Sequence, residues 1–297
     1  MSWRTRAAAL VLLLTWATSS RAAFEFGGGG ARSLALGGAV AAVVGEPGAV
    51  WYNPAANARS ASPTAGLAHA QLYPGLGEGV SLSALSTVVP VARGSLQLAA
   101  SYLGAEDWQE SVFVGGYGWA VTSRMGVGAS LHSSGWETTG LSHRSWSVDL
   151  GGTCDVGRLP PGGHLRLALV LGNLARPRLA AGNLAGGRTS RRYALGASLD
   201  TGGRMVVADV AHVDGAVELS AGCETRVADF GGAVMRFGGR AVSSQWRSAE
   251  VDVGLGHRWR EWQLDYAYTY PLALSRFGGI HWVTFGYRSR LPAVRGR

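Results

Sequence analysis

The sequence predicts an all-β protein, a transmembrane antiparallel β-barrel of about fourteen strands, on three observations. Short segments alternate apolar residues with small or polar ones, the two-residue period of a strand with unlike faces. Charged residues within those segments keep to one parity. The links between segments alternate between tight and long, the habit of barrels with one short-turn rim and one long-loop rim. No stretch is apolar for long enough to cross a bilayer as a helix, and in lipid the only other spanning structure is a closed sheet.

Taken in order, the chain opens with Arg4 and Arg6, an apolar core over residues 7–16, and small and polar residues up to Ala22. This is the layout of a signal peptide, residues 1–22, cleaved after Ala22. Residues 23–58 follow, rich in glycine and alanine. Pro54 cannot donate to a sheet ladder and Asn53 before it favours a turn, so this stretch leaves the wall. The barrel is expected over residues 59–290, with residues 291–297 as a tail.

Within the barrel, strands are expected at 63–72, 79–89, 94–103, 110–121, 124–133, 144–156, 164–172, 191–199, 204–212, 216–226, 229–237, 247–258, 261–270 and 279–289. The clearest places Trp262, Leu264, Tyr266, Tyr268 and Tyr270 opposite Glu261, Gln263, Asp265, Ala267 and Thr269. Leu96, Leu98, Ala100 and Tyr102 oppose Ser95, Gln97, Ala99 and Ser101 in the same way. A lipid-facing arginine at mid-bilayer costs about 2–4 kcal/mol, so the charged parity must face the lumen. The expected lumen-lining residues are Arg124, Asp149, Arg166, Arg192, Glu218, Glu224, Asp252 and Asp265. They are expected chiefly to pair with each other and with the N-terminal segment. A soluble β-sandwich also alternates; the loop lengths tell against it. The longer links are 103–109, 134–143, 173–190 and 238–246, whereas 213–215 is short where a long one is due.

Composition narrows the function. Forty-five glycines and only 15% charged residues suit turns and a crowded lumen better than helices. All 27 basic residues are arginine, but they are scattered rather than clustered, so no nucleic-acid footprint is expected. Aromatics at 73, 108, 119, 136, 146, 246, 259, 262, 270, 282 and 287 fall near strand ends and suggest interfacial girdles. Cys154 and Cys223 fall on the outward face of two distant strands, too far apart for a disulfide. The seven histidines lack metal-ligand spacing. Neither a phosphate loop nor a nucleophile elbow occurs. No catalytic residue, cofactor or metal is expected.

Several pieces carry a family resemblance: Ala31-Arg32, Gly37-Gly38-Ala39, the acidic turn at Glu46, and Trp51-Tyr52-Asn53-Pro54-Ala55. Further pieces are LRLALVLGNL at 165–174, LDYAY at 264–268 and the aromatic last strand from His281 to Tyr287. Together they resemble the PorV/PorQ branch of the FadL-like outer-membrane superfamily. The resemblance implies a barrel whose N-terminal segment, residues 23–58, folds inward as a plug or hatch, with Gly37, Gly38, Trp51, Tyr52, Asn53, Pro54 and Ala55 as gate residues. It implies an outer-membrane location, contact with outer-membrane lipid, and help from the barrel assembly machinery during biogenesis. It implies a monomer serving either as an accessory factor in type IX secretion, holding secreted client proteins, or in transport. The alternatives are a FadL-type channel for hydrophobic compounds or long-chain fatty acids, and a structural barrel with no conducted solute. Family barrels commonly stop at an aromatic residue, whereas here Tyr287 is followed by ten more residues.

Overall fold

The computed structural model describes residues 28–290 apart from 78, 106, 161, 179–187, 228–229 and 244–248. The expected signal peptide at 1–22 and tail at 291–297 lie outside the described residues, as does Trp246. The wall consists of β1 (Thr64–Leu72), β2 (Ser81–Val91), β3 (Gly94–Gly104), β4 (Trp108–Ala120), β5 (Met125–Thr138), β6 (Leu141–Leu159) and β7 (Gly163–Gly172), then β8 (Arg192–Asp200), β9 (Arg204–Val213), β10 (Ala216–Arg226), β11 (Ala233–Val242), β12 (Glu250–Trp259), β13 (Trp262–Pro271) and β14 (Ile280–Arg288). Each strand pairs antiparallel with its sequence neighbours. β14 returns to β1, from Leu72↔Ile280 to Thr64↔Arg288, and closes the barrel. Closure leaves no strand with an unpaired edge.

The two faces of the wall are inverted relative to a water-soluble protein. Leu67, Leu195, Leu219 and Leu255 point outward and are each more than half exposed, whereas inward-pointing Arg236, Asp252, Asp265 and Glu218 are at most 4% exposed. Water outside and oil inside would give the reverse; hydrocarbon outside gives this. Among the described residues no helix is long and apolar enough to cross a membrane.

At the short-turn rim, Trp262 stacks on Phe285 at 5.0 Å and tilts against Tyr287 at 4.8 Å, an outward aromatic patch suited to an interface. Three of the expected girdle residues turn inward instead. Trp282 is fully buried among Ala31, Ala35 and Leu82, and Trp136 stacks on Trp108 at 5.2 Å, both on the parity of the buried Glu110. Cys154 and Cys223 are free thiols and pair in register with outward Leu167 and Phe237.

Three wall segments differ from expectation. The link expected at 103–109 shrinks to the residues between Gly104 and Trp108, because β3 and β4 pair on to Gly104↔Gln109. The link expected at 134–143 is a tight hairpin, because β5 and β6 pair on from Ser134↔Ser145 to Thr138↔Leu141. β11 is displaced toward the C-terminus and carries Gly238, Gly239 and Arg240 within the strand. The unexpectedly short 213–215 link is a two-residue turn in which Asp214 and Gly215 both have positive φ, the geometry that an Asp-Gly hairpin favours.

If hydrocarbon bathes this wall, Leu219→Arg will lower the folding free energy in lipid vesicles by about 2–4 kcal/mol. Denaturant titration followed by tryptophan fluorescence measures it, and an unchanged midpoint would put water outside the barrel.

Candidate functional site

The lumen is occupied by the chain's own residues 28–58. A five-residue helix, α1 (Ala31–Ala35), starts where the Ala31 amide donates to Thr284 Oγ1 of β14 at 2.8 Å. Its small face, Ala31 and Ala35, packs against Ala267, Trp282 and Leu82. Gly37 and Gly38 follow with φ of 68° and 73° and turn the chain across the barrel. At Gly37 the glycine is needed twice, since a Cβ there would also sit 2.4 Å from the Gly239 carbonyl oxygen. Wall glycine Gly238 makes the matching approach: a Cβ on it would lie 2.3 Å from the Gly37 nitrogen.

Beyond that turn, Ala41 and Ala42 lie against Ala168, Ala194, Ala211 and Val213. The Ala41 amide donates to Asp209 Oδ2 at 3.0 Å, and Ser198 Oγ donates to the Ala42 carbonyl at 3.1 Å. A 3-10 turn at Pro47–Trp51 seats Val50 against Ala99 and Val114. Trp51 Nε1 donates to Ser86 Oγ at 3.1 Å.

Two asparagines then tie the segment together. Fully buried Asn53 donates from Nδ2 to the Ala41 carbonyl at 2.7 Å and accepts the Ala55 amide at 2.9 Å. Asn57 accepts the Gly45 amide at 3.2 Å and donates to the Glu46 carbonyl at 2.8 Å. Gln97 on β3 donates to the Pro54 carbonyl at 2.6 Å, and Ser95 donates to the Asn57 carbonyl at 2.8 Å. Removing either amide would strand several buried polar groups.

Charge supplies the remaining fastening. Arg32 binds Glu224 of β10 with two nitrogens, at 2.6 and 2.9 Å, and Glu46 with a third at 2.5 Å. Glu224 also accepts from Arg236 of β11 at 2.7 Å, and Arg236 reaches Asp265 of β13 at 2.7 Å. Burial alone would loosen the proton on the Arg32 guanidinium. The two carboxylates outweigh burial and hold its pKa above the ordinary arginine value. On the opposite side, Asp155 of β6 bridges Arg59 and Arg166, each at 2.5 Å.

The structure thus places Gly37, Gly38, Trp51, Tyr52, Asn53, Pro54 and Ala55 within the segment inside the lumen. Of the expected lumen residues, Glu224 and Asp265 join the Arg32 network and Arg166 the Asp155 bridge. Asp149 accepts the Asn173 amide at 2.7 Å and lies 3.1 Å from His132. Arg192 pairs with Glu218, and Asp252 accepts from Thr269 at 2.5 Å. Arg124 is different: it sits exposed in the turn between β4 and β5, not on the wall. Asn57, Arg59, Asp155 and Arg236 are contacts that the strand pattern did not single out, whereas it put Gln97 on the inward face without marking it as a contact. An asparagine four residues after Asn53 was the available signal for Asn57. Among the described residues no group of three or more His, Cys, Asp or Glu is placed to hold a metal.

The lumen wall is divided around its circumference. One arc, from Ala267 of β13 through β14 and β1 to β2, carries a buried apolar cluster, Leu72, Leu82, Ile280 and Trp282 with their alanine neighbours, and is bordered on β13 by buried Asp265 and Thr269. The other, from β8 to β12, holds Arg192, Glu218, Arg240 and Glu250.

No family model matches the chain, and no curated protein matches it in sequence. Solved structures do match. The CymD monoaromatic hydrocarbon channel aligns with TM-score 0.59 at 14% identity, covering 91% of this chain and all of that one. The Ralstonia pickettii toluene transporter TbuX gives 0.62 at 12%, covering 90% and all. A Pseudomonas aeruginosa FadL homologue gives 0.55 at 14%, covering 88% and 97%. The fold is that of the FadL-type channels. At such identities the likeness speaks for architecture alone.

Arg32→Ala leaves Glu46 without its cation and Glu224 with Arg236 alone, a loss of about 3 kcal/mol, the low end for breaking a buried pair. Limited proteolysis in detergent will then cut within residues 28–58 while the barrel keeps its heat-modifiable migration on a gel. Unchanged resistance to the protease would remove the network from the fastening.

Proposed function

We propose that this protein is an outer-membrane channel that admits hydrophobic compounds, with residues 28–58 as its gate. The observation that carries this is the divided lumen. An apolar arc runs from the long-loop rim, at Leu72 and Ile280, down to α1 at Ala31 and Ala35, while the charges that hold the segment gather mainly on the other side. The apolar side chains are buried in the closed conformation, so an apolar solute, which gains by leaving water for such a surface, reaches the arc only as the residues packed over it part.

At α1 the solute meets the obstruction. The wall is paired around its whole circumference, so in this conformation the way on is past the segment rather than between strands. Passage requires a state in which α1 has moved from Trp282. A solute bound better by that state than by the closed one shifts the balance by its difference in affinity. The structures it resembles are named as channels and transporters of monoaromatic hydrocarbons and toluene, which supports passage of an apolar solute over a role in holding secreted clients. The PorV/PorQ secretion role has no support from these neighbours.

The test is uptake of a fluorescent apolar solute into vesicles reconstituted with the protein. Deleting residues 28–58 is expected to raise the rate several-fold, and Trp282→Glu, which puts a charge on the apolar arc, to depress it. Rates in both variants and the wild type no higher than in protein-free vesicles would leave a structural barrel that conducts nothing.

A further inference from the structure

Beneath the segment, at the short-turn rim, lies a cavity of about 150 Å³ between the Gly45–Pro47 turn and the ends of β12, β13, β14 and β1. Four arginines line it: Arg258, Arg260, Arg288 and Arg290. Three carboxylates line it too, and each is already engaged. Glu46 binds Arg32, Asp265 binds Arg236, and Glu261 binds Arg290.

Three guanidinium groups remain. Arg258 bonds only to the neutral Gln263 side chain, and Arg288 donates to the Gly45 carbonyl at 2.6 Å. Arg260 sits in the β12–β13 turn with φ of 54°. Among the described residues none of the three has a carboxylate oxygen within 4 Å, although Glu46 and Asp265 lie near enough to act on Arg258, and all three are exposed to solvent. Like charges gathered around one concavity repel unless an anion joins them. Guanidinium forks match the oxygens of a phosphate, often two at a time.

The cavity also reaches the outer wall. Ala65 and Tyr287, a cross-strand pair on the outward parity, line it beside the inward Thr64 and Gly286. The cavity thus lies at the β1–β14 seam where the wall meets the aqueous rim, at the level of the adjoining headgroups. We propose that this cavity is a binding site for a phosphate group, presented by a phospholipid head or by a free phosphate, at the foot of the lumen segment. Because Arg288 holds the Gly45 carbonyl, the ligand touches the residue that anchors the gate's lower turn. The site stands whichever solute the channel carries.

The experiment is calorimetric titration of the full-length protein in uncharged detergent with inorganic phosphate at fixed ionic strength. Saturable binding is expected in the wild type. The double variant Arg258→Gln, Arg260→Gln keeps Arg288 on Gly45 and is expected to bind about tenfold more weakly for each arginine lost. A control double variant, Arg158→Gln with Arg204→Gln, removes two exposed arginines from the same rim but outside the cavity, and is expected to bind as the wild type does. Heat-modifiable migration checks that all three proteins are folded. No saturable binding in the wild type, or equal loss in both double variants, overturns the site. Adding phosphatidylglycerol or phosphatidylcholine vesicles then identifies the source: displacement of phosphate by either indicates a lipid head, and displacement by neither a free phosphate.

Discussion

Everything in this molecule follows from the pairing of β14 with β1. In hydrocarbon an unpaired backbone amide or carbonyl costs several kcal/mol, so a sheet crossing a bilayer has to meet itself. Once it does, alternate side chains along every strand point to an enclosed interior, and the sequence has to supply two surfaces with opposite preferences. Leucine, valine and aromatic residues cover the outside. The inside is left to serine, glycine, alanine and charge.

An enclosed interior of that kind is a problem of its own, because water-filled it leaks and empty it collapses. Here residues 28–58 fill it, and they do so by two kinds of contact. Glycines on the wall, such as Gly238 beneath Gly37 and Gly128 beneath Pro54, let backbone meet backbone with no side chain between. Charged side chains then bind at a few points, Arg32 to Glu224 and Arg59 to Asp155. Close packing gives shape but holds a displaced segment only weakly; ion pairs enclosed by protein hold strongly yet break at discrete positions. The gate proposed for this segment needs both properties, a snug closed state and a small number of contacts whose loss opens it.

Most of the wall was legible in the sequence because lipid imposes a strict two-residue period. Wherever lipid stops, so does legibility. The β5–β6 extension carries small or polar residues on both faces, Ser134 and Thr138 on one and Gly135 and Glu137 on the other, so nothing in the pattern marked it as strand. β11 was misplaced for a different reason: Gly238, Gly239 and Arg240 look like a loop until the lumen segment is seen pressing on Gly238. Trp108, Trp136 and Trp282 were read as interfacial from their places near strand ends, but an enclosed lumen accepts large rings as readily as a headgroup layer does. The lumen contacts themselves join residues such as Arg32 and Glu224, 192 positions apart, and no local pattern encodes a meeting of that kind.

Amide hydrogen exchange on the protein in a lipid bilayer tests the account most directly. The amides of Ala31, Ala41, Gly45 and Ala55, each bonded within the lumen, should exchange as slowly as those of the wall strands. Exchange at the rate of the rim turns would mean that residues 28–58 hang outside the barrel, and the gate would fall with them.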